Sequence, residues 1–257
     1  MRQLSRHNRV EQHTSQAKGY AALTAGLAQD ERSVLLRERI GANPDDEVLD
    51  VACGPGRLSL ELAPFVRNVT GLDLTPAMLE QAREAQGRAG VANVAFVAGD
   101  AATMAFPDAV FSLAISSAAF HHFEAPRQVL AEMVRVCASG GRVVVNDVTP
   151  DSTKAAEYNR MERLRDPSHG HAHTVDEFIE LGACVGLGKP EVYSSLSGPI
   201  PYSAVLATSF PEEITREALL ELMRRDSHEN RLGFAVQLRG DEVLVSYPTS
   251  LIVWKRP

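Results

Sequence analysis

Three carboxylates and a pair of glycines are spaced as a small-molecule site would need them. The first group is Asp50 with Gly54 and Gly56, in VLDVACGPGRL at residues 48–58. Glycines clear side chains from a turn that a ligand must approach closely. A helix starting after them would offer free N–H groups and a partial positive charge, which suits an anionic group. Asp50, just before the glycines, suits a cationic group instead, such as an ammonium or a sulfonium. The dinucleotide fingerprint G-x-G-x-x-G is incomplete, because Ser59 stands where the third glycine belongs. Asp73, in GLDL, lies at the distance past the glycines expected of an acid that accepts from both ribose hydroxyls. Asp100, in AGDA, can accept from an adenine amino group while the next backbone N–H meets a ring nitrogen. Each acid alone is equally a capping or turn residue; three at successive strand ends are far more specific.

Positioning these residues requires strands that all deliver their carboxyl ends to one edge. Apolar runs at 48–52, 68–74, 93–100, 111–120 and 142–148 read as five strands. Helical patterns alternate with them. The one at 75–90 is punctuated by Thr75 as N-cap, Pro76 at the first helical position and Gly90 as the stop. The strands are apolar on both faces, as in a parallel sheet covered by helices on both sides. The expected fold is α/β, a doubly wound, mostly parallel, seven-stranded sheet of Rossmann-like type, with an antiparallel final strand and a helical lid insertion. One domain is expected over 1–257, divided into N-terminal helices (1–44), a cofactor-binding core (45–148), a lid with substrate-side helices (149–232) and closing strands (233–257). A long helical segment is expected over 11–40, and Thr174 is expected to cap a helix. The helix after the fourth strand is expected to run to the glycine pair Gly140–Gly141.

The composition narrows the partners. The chain has 257 residues and a formal net charge of −7, which disfavours phosphate backbones, so no nucleic acid is expected. No apolar run approaches the ~18 residues of a membrane span, and the first residues are polar, without the apolar core of a secretory signal. A cytoplasmic protein is expected. The three cysteines form neither a CxxC pair nor a metal-ligand pattern.

The ordered motifs VLDVACGPG, VTGLDLTPAML, NVAFVAGDA and PDAVFSLAISSAAFHHFEAPRQVLAEMVRVCASGGRVVVNDV resemble those of the class I S-adenosylmethionine-dependent methyltransferases. The resemblance is strong over residues 45–148 and is greatest to the small-molecule branch similar to the ubiquinone/menaquinone C-methyltransferases. Two departures stand out: Ala52 and Ser139, where the family often has Gly and Pro. The resemblance implies S-adenosyl-L-methionine as cofactor and S-adenosyl-L-homocysteine as product. It places Asp50 and the backbone at Ala52, Gly54 and Gly56 beside the methionine part. Asp73 would hold the ribose, Leu74 and Met78 the adenine face, and Asp100 with the Ala101 N–H the adenine edge. Ser116 and Ser117 would line the methyl-donating end.

The acceptor side is less determined. His121 and His122 follow the fourth strand, and a neutral imidazole there could take a proton from a hydroxyl or an acidic carbon. The polar stretch 150–173 is expected to cover the acceptor, with Arg165, Asp166 and His169 as contacts. His169, His171 and His173 alternate, but no cysteine joins them and glycine and proline oppose a regular helix, so no metal is expected. The catalytic candidates are therefore His121, His169 and Arg165. The expected partner is a small-molecule methyl acceptor, and a homodimer is compatible with the sequence. Two other functions use the same residues: a cofactor-binding protein of this fold that does not methylate, and a nicotinamide-dependent dehydrogenase.

Overall fold

The computed structural model describes Thr14, residues 31–209, Pro211 and residues 214–257. Most of the helical segment expected over 11–40 lies outside the described residues; its last part is α1 (Glu31–Ile40). The chain then alternates as β1 (Glu47–Val51), α2 (Arg57–Leu62), β2 (Asn68–Asp73), α3 (Pro76–Ala89), β3 (Val94–Ala98), β4 (Phe111–Ser117), α4 (Pro126–Val136) and β5 (Cys137–Val148). The second half holds α5 (Ala155–Arg165), α6 (Val175–Cys184), β6 (Glu191–Leu196), β7 (Ile200–Pro201), α7 (Tyr202–Ala207) and α8 (Arg216–Asp226). Strands β8 (Gln237–Arg239), β9 (Glu242–Val245) and β10 (Pro248–Lys255) complete it.

Seven strands form the main sheet in the order β3-β2-β1-β4-β5-β10-β6. Strands β1 to β5 pair in parallel, and β10 runs antiparallel to both β5 and β6. The chain turns back between β1 and β4, so the crevice for a ligand opens at the carboxyl ends of these two strands. Successive residues of β1 face opposite sides, and each side buries a core. Leu49 and Val51 join Phe120, Leu130, Met133 and Trp254; Val48 joins Ile40, Leu62, Leu113 and Val144.

A third core packs Tyr158, Met161, Tyr202, Leu219, Met223 and Phe234 beneath a separate small sheet, β7-β9-β8. This corrects the expectation for residues 233–257. Only β10 enters the main sheet, where it is an inner strand, while β6 forms the edge. Helix α4 also ends earlier than expected, at Val136. The glycine pair lies inside β5, where the register with β4 shifts between Phe111 and Leu113. A Cβ on Gly141 would sit 2.7 Å from the Cys137 sulfur and 2.8 Å from the Ala138 oxygen, so this kink needs glycine rather than a helix stop. Elsewhere the local signals hold in part: Thr75 stands at the N-cap of α3, but its side chain makes no capping bond. Gly90 ends α3 in the left-handed region, and Thr174 and Glu177 form a capping box at the start of α6.

Candidate active site

The turn after β1 is built from residues in the left-handed region: Ala52 at φ 57°, Gly54 at φ 54° and Gly56 at φ 79°. Ala52 therefore holds a conformation that favours the glycine found in the resembling family. The two glycines do different work. A Cβ on Gly54 would meet nothing within 4 Å, whereas one on Gly56 would meet the Phe96 ring at 2.7 Å and Ala82 at 3.0 Å. Gly54 borders a cavity of about 690 Å³; Gly56 is needed for packing and does not line it.

That cavity runs along the carboxyl ends of the strands. One end is lined by Ala52, Gly54, Asp73, Leu74 and Met78, and then by Asp100, Ala101 and Ser117. The Asp73 carboxylate accepts from the Gly54 N–H at 2.8 Å and the Thr75 N–H at 2.8 Å, which ties β2 to the glycine turn. Asp100 accepts from the Ala102 N–H at 2.9 Å. An ionised carboxylate offers about four acceptor sites, so these backbone bonds are compatible with ligand hydroxyls on the same groups.

Three expected cofactor residues stand outside the cavity lining: Asp50, Gly56 and Ser116. Asp50 is buried, and the Ser59 hydroxyl donates to it at 2.6 Å. Ser59 therefore replaces the fingerprint's third glycine with a bond that holds Asp50. Burial pushes the Asp50 carboxyl up to about 6, against the pull of Ser59. Ser116 is buried behind Ser117, and its hydroxyl has no hydrogen-bond partner.

The other end of the cavity is lined by His121, His122, Glu162, Arg165, Asp166 and Tyr247. His121 Nδ1 donates to the Asp147 carboxylate at 2.6 Å. Asp147 also accepts from the Phe120 and Val148 N–H groups at 2.6 Å each. Burial alone would raise the Asp147 carboxyl, but the His121 charge and these donors carry it below its ordinary range. Burial likewise opposes protonation of His121, and Asp147 reverses this to a net upward shift. With Nδ1 as donor to Asp147, the other ring nitrogen is the basic one.

Arg165 lies in a buried ion pair with Glu162: Nε donates to Oε1 at 2.9 Å and Nη2 to Oε2 at 2.6 Å, while Nη1 donates to the Ser209 hydroxyl at 3.0 Å. Burial works against its charge, and Glu162 more than restores it. His169 does not line the cavity. It is 3% exposed, and Nε2 meets the Asn159 side-chain oxygen at 2.8 Å. Burial, then the neighbouring His121, hold its pKa well below the ordinary value, so it stays neutral. Its expected contact role is thus replaced by an inner structural one. The stretch 150–173 is only partly solvated: Tyr158, Met161 and Ala172 are fully buried, while Asp151, Ser152, Thr153, Glu157 and Arg160 are exposed.

Residues 49–145 match the family model described as a methyltransferase domain. The chain is 27% identical over 223 residues to the uncharacterized methyltransferase YcgJ of Bacillus subtilis (strain 168), covering 86% of this chain and 88% of that protein. It is 36% identical over 134 residues to a demethylmenaquinone methyltransferase of Deinococcus radiodurans, covering 51% of this chain and 54% of that one. The chain thus spans nearly all of YcgJ and about half of the demethylmenaquinone enzyme. The solved YcgJ structure superimposes with a TM-score of 0.76 at 26% identity, covering 88% of this chain and 98% of that one. Sheet order, strand-end carboxylates, glycine turn and these likenesses converge: residues 49–145 form a methyltransferase domain of the class I, S-adenosylmethionine-dependent type, and the chain is an enzyme of methyl transfer to small molecules.

Proposed function

We propose that the acceptor is a small organic molecule with an ionisable hydroxyl or an acidic carbon, methylated on carbon or oxygen, and that His121 takes its proton. His121 on the cavity wall, held by the buried Asp147 behind it, carries this assignment. When bound, S-adenosyl-L-methionine supplies an electrophilic methyl group on a sulfonium. The donor end of the cavity fits that cofactor. Gly54 leaves backbone bare toward the cavity, Leu74 and Met78 give an apolar wall, and Asp73 and Asp100 give acceptors at adjacent strand ends. Asp73 would hold ribose hydroxyls and Asp100 the adenine edge. Asp50, one layer behind, would act through the glycine turn.

Methyl transfer is an in-line displacement that depends on approach and orientation. His121 is set for a proton because Asp147 fixes its tautomer. The Glu162–Arg165 pair and Tyr247 would orient polar groups of the acceptor, and Ile200 and Val205 give apolar surface. One relative is named for an organic acceptor, the quinone demethylmenaquinone.

The test incubates the protein with methyl-labelled cofactor and a metabolite extract, and identifies labelled products by mass spectrometry. Wild type should yield a labelled small molecule. His121→Ala should lose it while binding S-adenosyl-L-homocysteine within about threefold of wild type, or ~0.7 kcal/mol. Cofactor binding without any labelled product from varied extracts would favour a non-methylating role. Undiminished product from His121→Ala would remove the base.

A further inference from the structure

We propose that His171, His173 and Glu177 form a binding site for one divalent transition-metal ion of the zinc class. The site stands outside the cavity and does not depend on the methyl-transfer assignment. Their donor atoms all lie within 4.8 Å of one another. His171 Nε2 is 3.1 Å and 3.2 Å from the two Glu177 oxygens, and His173 Nδ1 is 3.9 Å from Oε2. Ligands of a tetrahedral zinc ion, at bonds of about 2.0–2.1 Å, stand about 3.3 Å apart. The His171–Glu177 edge already has that length; the His173–Glu177 edge, at 3.9 Å, and the His171–His173 edge, within 4.8 Å, close by side-chain movement.

The backbone presents the set ready-made. Glu177 is fixed at the third position of α6, where its carboxylate accepts from the Thr174 N–H at 2.7 Å. His171 is fixed by its own N–H, which donates to the His121 carbonyl at 3.0 Å. His173 packs edge-on against His171 at 4.7 Å and Phe178 at 5.2 Å. Two imidazoles and a carboxylate suit zinc, cobalt or nickel, whereas magnesium and calcium prefer oxygen alone. His171 and Glu177 are 45% and 42% exposed, which gives an ion access and leaves room for water as a fourth ligand. The alternating His169, His171 and His173 led to no metal being expected. The fold turns His169 inward and brings Glu177 in from the next helix.

An ion here would join the loop before α6 to the helix itself. Gly170 and His171 also donate to the carbonyl of His121, at 2.8 Å and 3.0 Å. The clip would thereby stiffen the segment behind a cavity-lining residue.

Full-length protein freed of metal by a chelator should bind one zinc ion per chain in calorimetry, with micromolar or tighter affinity and a raised melting temperature. Cobalt(II) should give the visible absorption of a four- or five-coordinate site. His171→Ala/His173→Ala should weaken zinc at least tenfold. Glu177→Gln should do the same while keeping the helix cap, since glutamine also serves in a capping box; it decides alone if the double variant does not fold. Equal zinc binding by wild type and Glu177→Gln, or no zinc binding by wild type, overturns the site.

Discussion

Asp147 and His121 are 26 residues apart in sequence, yet Oδ1 and Nδ1 meet at 2.6 Å where β5 ends beside the turn after β4. Asparagine at 147 would present an amide that can offer its N–H₂ to Nδ1. That would move the imidazole proton to the far nitrogen, which would then donate instead of accept. General-base catalysis is typically worth 10²–10⁴-fold. Asp147→Asn should therefore lower turnover by at least about a hundredfold, with cofactor-product affinity near wild type. Steady-state kinetics on the acceptor found by labelling would check this, and wild-type turnover in the variant would rule out the pair as base.

Arg165 and Glu162 make the second prediction. The guanidinium is bidentate on a carboxylate that is 3% exposed. Truncating one partner leaves a buried charge alone, at a cost of ~3–5 kcal/mol. For a chain of this size each kcal/mol moves the melting temperature by about 2–4 °C. Arg165→Ala should thus lower it by roughly 6–20 °C. Arg165→Met with Glu162→Gln, which removes the charge from both, should lose clearly less. Thermal melts of the two variants decide; equal losses would mean that the ion pair is not what holds this wall.

The cavity wall at the strand ends was legible in part because its determinants are local, although Asp50, Gly56 and Ser116 stand behind it. Asp73, Asp100 and the glycine turn each sit where an apolar run stops, and one strand-helix rhythm puts them on one edge. The acceptor half depends on pairings that no short stretch reports. Asp147, an acid at the end of β5, was not singled out, because its partner lies on another strand's exit. Tyr247 reaches the cavity from the link between β9 and β10, two strands of different sheets. VLV in β9 and LIVW in β10 are equally apolar, so nothing local told which would join the main sheet. His169 misled for a physical reason as well. Its polar neighbours in sequence suggested a cover with His169 as an acceptor contact, while Asn159 on α5 supplies the partner that lets it be buried.

Asp50 gives the chain a pH dependence with a definite sign. Its pKa rises from 3.8 to about 6 on folding, so the folded state binds this proton more tightly than the unfolded chain. The stabilisation is present in full below about pH 4 and is lost as pH rises through about 6. A shift of about two units corresponds to on the order of 3 kcal/mol. Asp50→Asn, a neutral mimic of the protonated acid, should gain stability relative to wild type between pH 4 and 7. Denaturant unfolding of both proteins at those two pH values measures the gain. A difference that does not grow with pH would place the Asp50 carboxyl at its ordinary value.

The two turn glycines separate binding from folding. At Gly54 the added atoms of a valine would project toward the cavity, where nothing stands within 4 Å of the Cβ, although φ 54° strains any β-branched residue. At Gly56 the same Cβ would lie 2.7 Å from the Phe96 ring and 3.0 Å from Ala82, inside the packing of the helix against the sheet. Gly54→Val should therefore remain folded, a few degrees less stable, and lose S-adenosyl-L-homocysteine affinity by at least about a hundredfold, roughly 2.7 kcal/mol. Gly56→Val should fail as a fold, with a melting temperature reduced far more than that of Gly54→Val. Calorimetry and thermal melts on the pair settle both halves. Wild-type affinity in Gly54→Val would move the cofactor away from this turn, and a stable, well-folded Gly56→Val would show that the Phe96 contact yields more easily than its distance implies.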